Sequence, residues 1–207
     1  MSYVINAKRA VRSGAYKRRA DQPNKAALSA RITDAVRALS EYRAAKTIAW
    51  YMHIRSEVQT HAVVAEELIS AELSSAQLRP AELSKRCAIV LPQCEPKHLN
   101  FWSIAHPDEV APGRWGIPEP SPAVQADPKR RVAPGDIDFV VVPGVAFTTQ
   151  GERLGNGAGY YDRFLNQTDA LRVAVAFESQ IVDSLPLEPT DLPVHLLVTE
   201  LRIIRIR

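Results

Sequence analysis

Ile137-Asp138-Phe139-Val140-Val141-Val142 is a run of strand length, apolar but for Asp138, of the kind a parallel sheet buries on both faces. Working outward, Thr47 to Met52, Cys87 to Leu91 (stopped by Pro92), Leu99 to Ile104, Leu171 to Phe177 and Leu196 to Thr199 read as further strands. Helical patterns lie before and between them. One runs from about Ala7 to Ala20, softened at Gly14. A second spans about Asn24 to Ser40, with Leu28, Ile32, Val36 and Leu39 on one face. A third opens at Thr60 and carries Val63, Val64, Leu68 and Ile69. Strands alternating with helices predict an α/β fold. The expected form is a three-layer sandwich, a mainly parallel sheet with helices on both faces.

Residues 105–135 interrupt this pattern. They hold Pro107, Pro112, Pro118, Pro120, Pro122, Pro128 and Pro134, and proline removes ladder donors, so a loop is predicted rather than sheet. A loop that long in a compact domain is expected to serve function. The length of 207 residues fits one domain, residues 1–207, with a substantial core.

The apolar strand leads into Arg153-Leu154-Gly155-Asn156-Gly157-Ala158-Gly159-Tyr160-Tyr161-Asp162-Arg163. Alternating glycines allow φ > 0 and let backbone N–H groups turn toward an oxyanion. A helix starting at Tyr160 would add unpaired N–H groups. Arg153 and Arg163 bracket the loop with positive charge, and Asp162 offers a hard oxygen suited to Mg²⁺. No Lys-Ser/Thr follows the last glycine, so this is not a Walker loop. The GxGxxG spacing of a dinucleotide site is also missing, which argues against an NAD-dependent oxidoreductase.

A phosphate site needs a lysine, and one stands near the start. Lys8, Arg12 and Arg19 are four and seven residues apart, which places Arg12 roughly 40° and Arg19 roughly 20° around a helix from Lys8. The three charges share a face if the helix continues through Gly14. The net charge of +3 is too mild to indicate nucleic acid or membrane binding. Cys87 and Cys94 form no CxxC, and the five histidines form no metal-binding pair, so a reducing compartment without zinc is expected.

These residues together resemble the 5-formyltetrahydrofolate cyclo-ligase (methenyltetrahydrofolate synthetase) family over nearly the whole length. The resemblance includes Lys8, Arg12 and Arg19, Glu57-Val58-Gln59-Thr60, and Trp115-Gly116-Ile117-Pro118-Glu119-Pro120. It continues through Val142-Pro143-Gly144-Val145-Ala146-Phe147 and the 153–163 run to Asp191-Leu192-Pro193-Val194 and Val198-Thr199-Glu200. It also accounts for a basic, acid-poor start that has the composition of a transit peptide.

The resemblance implies ATP as co-substrate, Mg²⁺, a reduced folate substrate, a cytoplasmic location and a monomer. Lys8, Arg12, Arg153 and Leu154 through Asp162 (Gly155, Asn156, Gly157, Ala158, Gly159, Tyr160, Tyr161) would hold the nucleotide. Asp162 would bind the metal, and Arg153 and Tyr160 would be catalytic. Tyr51, Leu99, Trp115 and Tyr160 would line the folate site. Glu57 would meet the pterin edge, whose paired donors suit a two-oxygen acceptor.

Three positions depart from the family pattern. Asn156 and Ala158 stand where some members carry basic residues, Thr148 where many have Asp, and His195 where many have Asp. His195 stands one residue before an apolar strand, which is read as close to where sheet ligands gather, and is expected to pack or hydrogen-bond rather than bind metal. A non-catalytic nucleotide- or RNA-binding relative is the competing class. Such a protein would be expected to lose Arg153, Asp162 or Glu57, and all three remain.

Overall fold

The computed structural model describes residues 2–75, 87–188 and 191–206. Its elements are α1 (Ser2–Asp21), α2 (Lys25–Ala38), α3 (Ser40–Ala44), β1 (Thr47–Ala49), α4 (His61–Ser75), β2 (Ala88–Cys94) and β3 (Leu99–Ile104). There follow β4 (Val110–Pro112), β5 (Pro118–Pro120), α5 (Pro122–Gln125), β6 (Arg131–Val132), β7 (Phe139–Val142), β8 (Ala146–Phe147) and β9 (Arg153–Leu154). The last are α6 (Tyr160–Leu165), β10 (Leu171–Val175), β11 (Leu196–Val198) and β12 (Ile203–Arg205).

Eight strands form one sheet in the order β12-β11-β10-β7-β1-β2-β3-β6. The central strands β11, β10, β7, β1 and β2 run parallel. β12, β3 and β6 are antiparallel additions at the two sides. Period-two alternation divides the strand side chains between two layers. Ile48, Ile89, Phe139, Val141 and Val173 meet Ile32 and Val36 of α2 and Val64 and Leu68 of α4. Ala49, Val90, Val140, Val142 and Leu197 meet Phe164 and Leu165 of α6 on the opposite face. Each buried Val, Leu, Ile or Phe contributes about 1.5–3 kcal/mol. The predicted α/β sandwich is therefore present, with helices on both faces.

α1 belongs to a smaller third cluster. Ala15 packs with Val145, Ala146, Leu154 and Leu185, which seats the helix on the β8–β9 hairpin. α1 runs without a break through Gly14. Among the described residues, no helix is long and apolar enough to cross a membrane.

Several element limits differ from the sequence reading. β2 passes through Pro92 to Cys94. The Val90 carbonyl faces the β1 side, where it accepts from Trp50 N at 3.1 Å, so Pro92 faces the same way. β1 has already ended there, so the missing N–H removes no ladder bond. The second helix stops at Ala38 because Leu39 is extended (φ −60°, ψ 137°), and α3 then starts anew.

The proline-rich segment is not loop throughout. Val110 to Pro112 pairs with Pro118 to Pro120, and β6 joins the main sheet beside β3. Its other prolines open short helical turns at Pro107, Pro122, Pro128 and Pro134, where a missing N–H would be unpaired anyway.

The β8–β9 hairpin and β12 were not expected. The hairpin leaves the carboxyl end of β7 at Gly144. Its turn hydrogen-bonds near the opposite end of the sheet, Val194 N donating to Gly151 O at 2.9 Å. β9 then carries the chain back and delivers the glycine run to the carboxyl ends of the strands, where α/β sheets gather ligands.

Candidate functional site

The glycine run forms one wall of a cleft of about 460 Å³. Gly157 and Gly159 sit at φ 98° and 70°, conformations that L side chains adopt at a steric cost. Gly155 needs no such freedom, but a Cβ there would come within 3.0 Å of Arg153 Nη1. Among the described residues, no protein acceptor takes the backbone N–H groups of residues 156 to 159. The helix that follows has only six residues, so its dipole is smaller than the sequence implied. An anion placed there would meet the loop N–H groups more than the helix dipole.

The opposite wall is α1. Arg12 Nε donates to Gly155 O at 2.8 Å, and Tyr16 Oη donates to Asn156 Oδ1 at 2.7 Å. Lys8 reaches across to Glu188 Oε2 at 2.7 Å and Asp191 Oδ2 at 2.6 Å. Although α1 is basic, Lys8 is only 6% exposed and Arg19 only 2%. Burial opposes the Lys8 charge, yet its bonds to Asp191 and Glu188 outweigh that and hold its pKa above the usual lysine value. Arg19 shares the helix face but lies under the site, against Ser56, Gly144 and Glu57.

Arg153 is buried behind the loop. Its guanidinium pairs with Asp162 Oδ1 and donates to Pro143 O at 3.3 Å, while its Nε has no protein partner. Arg163 donates to Ala158 O and Lys97 O at 2.9 and 2.7 Å and stands over the Tyr160 ring at 5.4 Å. Asp162 lines the cleft together with Glu188 and Asp191. No cluster of three or more potential metal ligands occurs among the described residues.

The residues expected at a folate are spread around this cleft. Glu57 is buried beneath the loop, with Oε2 accepting from Ile54 N at 3.1 Å. Burial raises its pKa above the ordinary glutamate value, against the Ile54 N–H, Arg19, Asn156 and Arg55. Tyr51 is buried as well, and its hydroxyl donates to Val58 O at 2.8 Å. Leu99 lines a separate cleft of about 820 Å³, and Arg163 is shared by both clefts.

Trp115 is apart and 67% exposed. It sits at φ 57° with the Arg114 guanidinium over its ring at 4.6 Å. The structure thus joins Lys8, Arg12, the 154–159 segment and Asp162 around one space. Tyr51 and Glu57 lie under it, while Leu99 and Trp115 stand outside it.

Sequence reasoning missed Tyr16 and the carboxylates facing Lys8. Tyr16 follows Arg12 by four residues on the same helical face, so its signal was present. Asp191 belonged to a quoted motif, but nothing in the sequence paired it with Lys8. His195 is placed away from the expected region: it precedes β11 at the amino end of the strand, opposite the glycine loop. Its Nδ1 accepts from Arg172 N at 3.0 Å.

A sequence model of the 5-formyltetrahydrofolate cyclo-ligase family matches residues 4–200. A 5-formyltetrahydrofolate cyclo-ligase of Mus musculus is 25% identical over 79% of this chain and 77% of its own. The Escherichia coli K12 protein of that name is 31% identical over 69% of this chain and 79% of its own. In three dimensions the chain is similar to the solved 5,10-methenyltetrahydrofolate synthetase of Aquifex aeolicus, with a TM-score of 0.78 and 32% identity. That match covers 97% of this chain and 93% of the other.

Proposed function

The chain belongs to the 5-formyltetrahydrofolate cyclo-ligase family, and from that premise we propose that it converts 5-formyltetrahydrofolate to 5,10-methenyltetrahydrofolate, using ATP and Mg²⁺ and releasing ADP and phosphate. The observation that carries the ATP-dependent part is the cleft between α1 and the glycine run. Gly155, Gly157 and Gly159 line a space also lined by Lys8 and Arg12, and the N–H groups of residues 156 to 159 have no protein acceptor among the described residues. That arrangement suits a chain of phosphates.

An amide oxygen is a poor leaving group, and phosphorylation makes it a good one. On this reading the formyl oxygen attacks the γ-phosphorus and ADP leaves. The neighbouring N10 amine then attacks the formyl carbon and loses its proton, and phosphate departs with the formyl oxygen as the ring closes. Phosphoryl transfer depends on positioning and charge neutralisation rather than a covalent nucleophile. Lys8 and Arg12 would steady the phosphates. Arg153 would hold the loop root and Asp162, and Tyr160 would flank the reacting groups at the loop end.

The cleft opposes Lys8, Arg12 and Arg163 with Asp162, Glu188 and Asp191. A polyphosphate entering alone would therefore meet little net positive charge. Oxygen donors of this kind fit Mg²⁺, which commonly uses one or two carboxylates with phosphates and waters. Asp162 would hold the ion, whose positive charge would offset charge on the phosphates when it is bound. For the folate, Glu57 would accept from the pterin edge, and Tyr51, Tyr160, Leu99 and Trp115 would offer ring and apolar surface.

The direct test supplies 5-formyltetrahydrofolate and follows the near-ultraviolet absorbance of the methenyl product, with and without ATP. The cofactor itself carries that chromophore. Absorbance that never depends on ATP would remove the reading. Glu57→Gln is expected to raise the folate KM by roughly tenfold or more, the scale of one charge-assisted hydrogen bond, with a smaller change in the ATP KM. A rise confined to the ATP KM would place Glu57 on the wrong substrate.

His195→Asn is expected to keep most activity and the same Mg²⁺ dependence. An amide oxygen can replace Nδ1 as the acceptor for Arg172 N. A large loss of activity that extra Mg²⁺ restores would contradict this.

A further inference from the structure

Arg19 was grouped by sequence with the cations of the phosphate cleft, but the structure turns it elsewhere. Its Nε donates to Ser56 Oγ at 3.1 Å, and its Nη1 donates to Gly144 O at 3.2 Å. The same nitrogen lies 3.8 Å from Glu57 Oε1. Ser56 and Glu57 belong to the turn beyond β1, whereas Gly144 begins the hairpin that leads to Arg153 and the glycine run. One guanidinium therefore touches both segments.

The contact continues along α1. Arg19 stands over the Tyr16 ring at 5.3 Å, and Tyr16 donates to Asn156 Oδ1 at 2.7 Å. The Asn156 side chain also favours the Glu57 anion. Arg19, Tyr16 and Asn156 thus form a chain of contacts between the turn and the glycine run. Asn156, where some relatives carry a cation, is engaged here with Tyr16.

The groups facing Glu57 can be named element by element. Ile54 N–H and Arg55 come from its own turn, Arg19 from α1 and Asn156 from the glycine run. Tyr51, two residues beyond β1, and Tyr161 of α6 also feel its charge. Arg55 is exposed, whereas Arg19 is 2% exposed. A charge screened by water acts weakly and a buried one strongly. Arg19 is therefore the main cation that can oppose the burial of this carboxylate.

We propose that Arg19 is the positioning residue of the folate half of the site, holding the Glu57 carboxylate anionic and in place while tying its turn to the root of the glycine-loop hairpin. The proposal rests on the assignment of Glu57 to the folate.

The test has two arms. In the ligand-free protein, carbon-13 NMR of labelled glutamate carboxyls follows the titration of Glu57, assigned by its loss in Glu57→Gln. Removing a neighbouring cation moves a carboxyl titration to higher pH, so Arg19→Gln should shift that of Glu57 upward by about one unit or more. An unmoved titration overturns the proposal whatever Glu57 binds.

The second arm measures KM against pH. The anion is lost as pH falls through the raised pKa, so the rise in folate KM on lowering the pH should set in at a higher pH in Arg19→Gln than in the wild type. The ATP KM should change far less. Adding Glu57→Gln should abolish that pH dependence, and its persistence in the double variant overturns the proposal.

Should Arg19→Gln not fold, Arg19→Lys replaces it. A lysine keeps the charge but cannot span Ser56 Oγ and Gly144 O together, so the folate KM should rise at every pH. An unchanged folate KM in that variant overturns the proposal. If Glu57→Gln alone leaves the folate KM unaltered while the NMR shift occurs, the folate assignment falls and the Arg19–Glu57 coupling stands.

Discussion

Gly157→Val is expected to abolish turnover with little loss of stability. Gly157 sits at φ 98°, and an added Cβ would stand 3.4 Å from Arg12 Cζ. Arg12 cannot easily move aside, because its Nε is bonded to Gly155 O at 2.8 Å. A β-branched residue in that conformation carries strain on the order of 1–3 kcal/mol. The loop tip is exposed, so it relaxes by changing shape rather than by unfolding the sheet. Its N–H groups then lose the arrangement proposed to meet a phosphate. Steady-state rates and a melting curve check both halves, and Gly157→Ala should fall between wild type and valine. Normal turnover by the valine variant would reduce the run to a connector.

Lys8→Ala should lower kcat/KM for ATP by roughly 30- to 1000-fold, the scale of about 2–4 kcal/mol for one lost transition-state contact. The structure adds a reason the sequence did not offer. Lys8 neutralises Glu188 and Asp191 at 2.7 and 2.6 Å, so its removal leaves two carboxylates facing the incoming phosphates. Arg12→Ala should lose less, since Arg12 faces the Gly155 carbonyl rather than an acid. Adding Glu188→Gln to Lys8→Ala should recover part of the loss by removing one uncompensated charge. Unchanged ATP kinetics in both Lys8→Ala and Arg12→Ala would detach α1 from the phosphates. Failure of Glu188→Gln to help would confine the effect to the lost cation.

The sheet was legible because burial on two faces leaves a mark in composition. Phe139 to Val142 and Leu171 to Val175 are too apolar for a surface segment, and both are inner strands. β8 and β9 have two residues each, too few for any period to register. β12 lies at the sheet edge, and its exposed Ile203 and Arg205 blurred the apolar signal. The prolines of residues 105–135 read as loop because sequence does not reveal which N–H groups a ladder would leave unused.

At the site, the glycine run and its helix partners were readable from local spacing. The run of Lys8, Arg12 and Arg19 fixed a common face but not what each residue meets there. Lys8 found acids nearly the whole chain away, and Arg19 turned under the site. Such partners depend on where tertiary packing places Glu188, Asp191 and the turn after β1. His195 was misplaced for a simpler reason: its position before a strand put it at the amino end, whereas ligands gather at the other.

The turn of the β8–β9 hairpin links Ile206 to the glycine run. A Cβ on Gly151 would come within 2.8 Å of both Ile206 Cγ1 and Val194 O, so Ile206 rests directly on that turn. Ile206 N also donates to His195 O at 2.9 Å, which fastens Ile206 over it. Ile206 thus clamps the far end of a lever whose near end is Arg153 and the glycines. For protein engineering, a substitution at Ile206 is therefore not a neutral choice, although it lies far from the cleft.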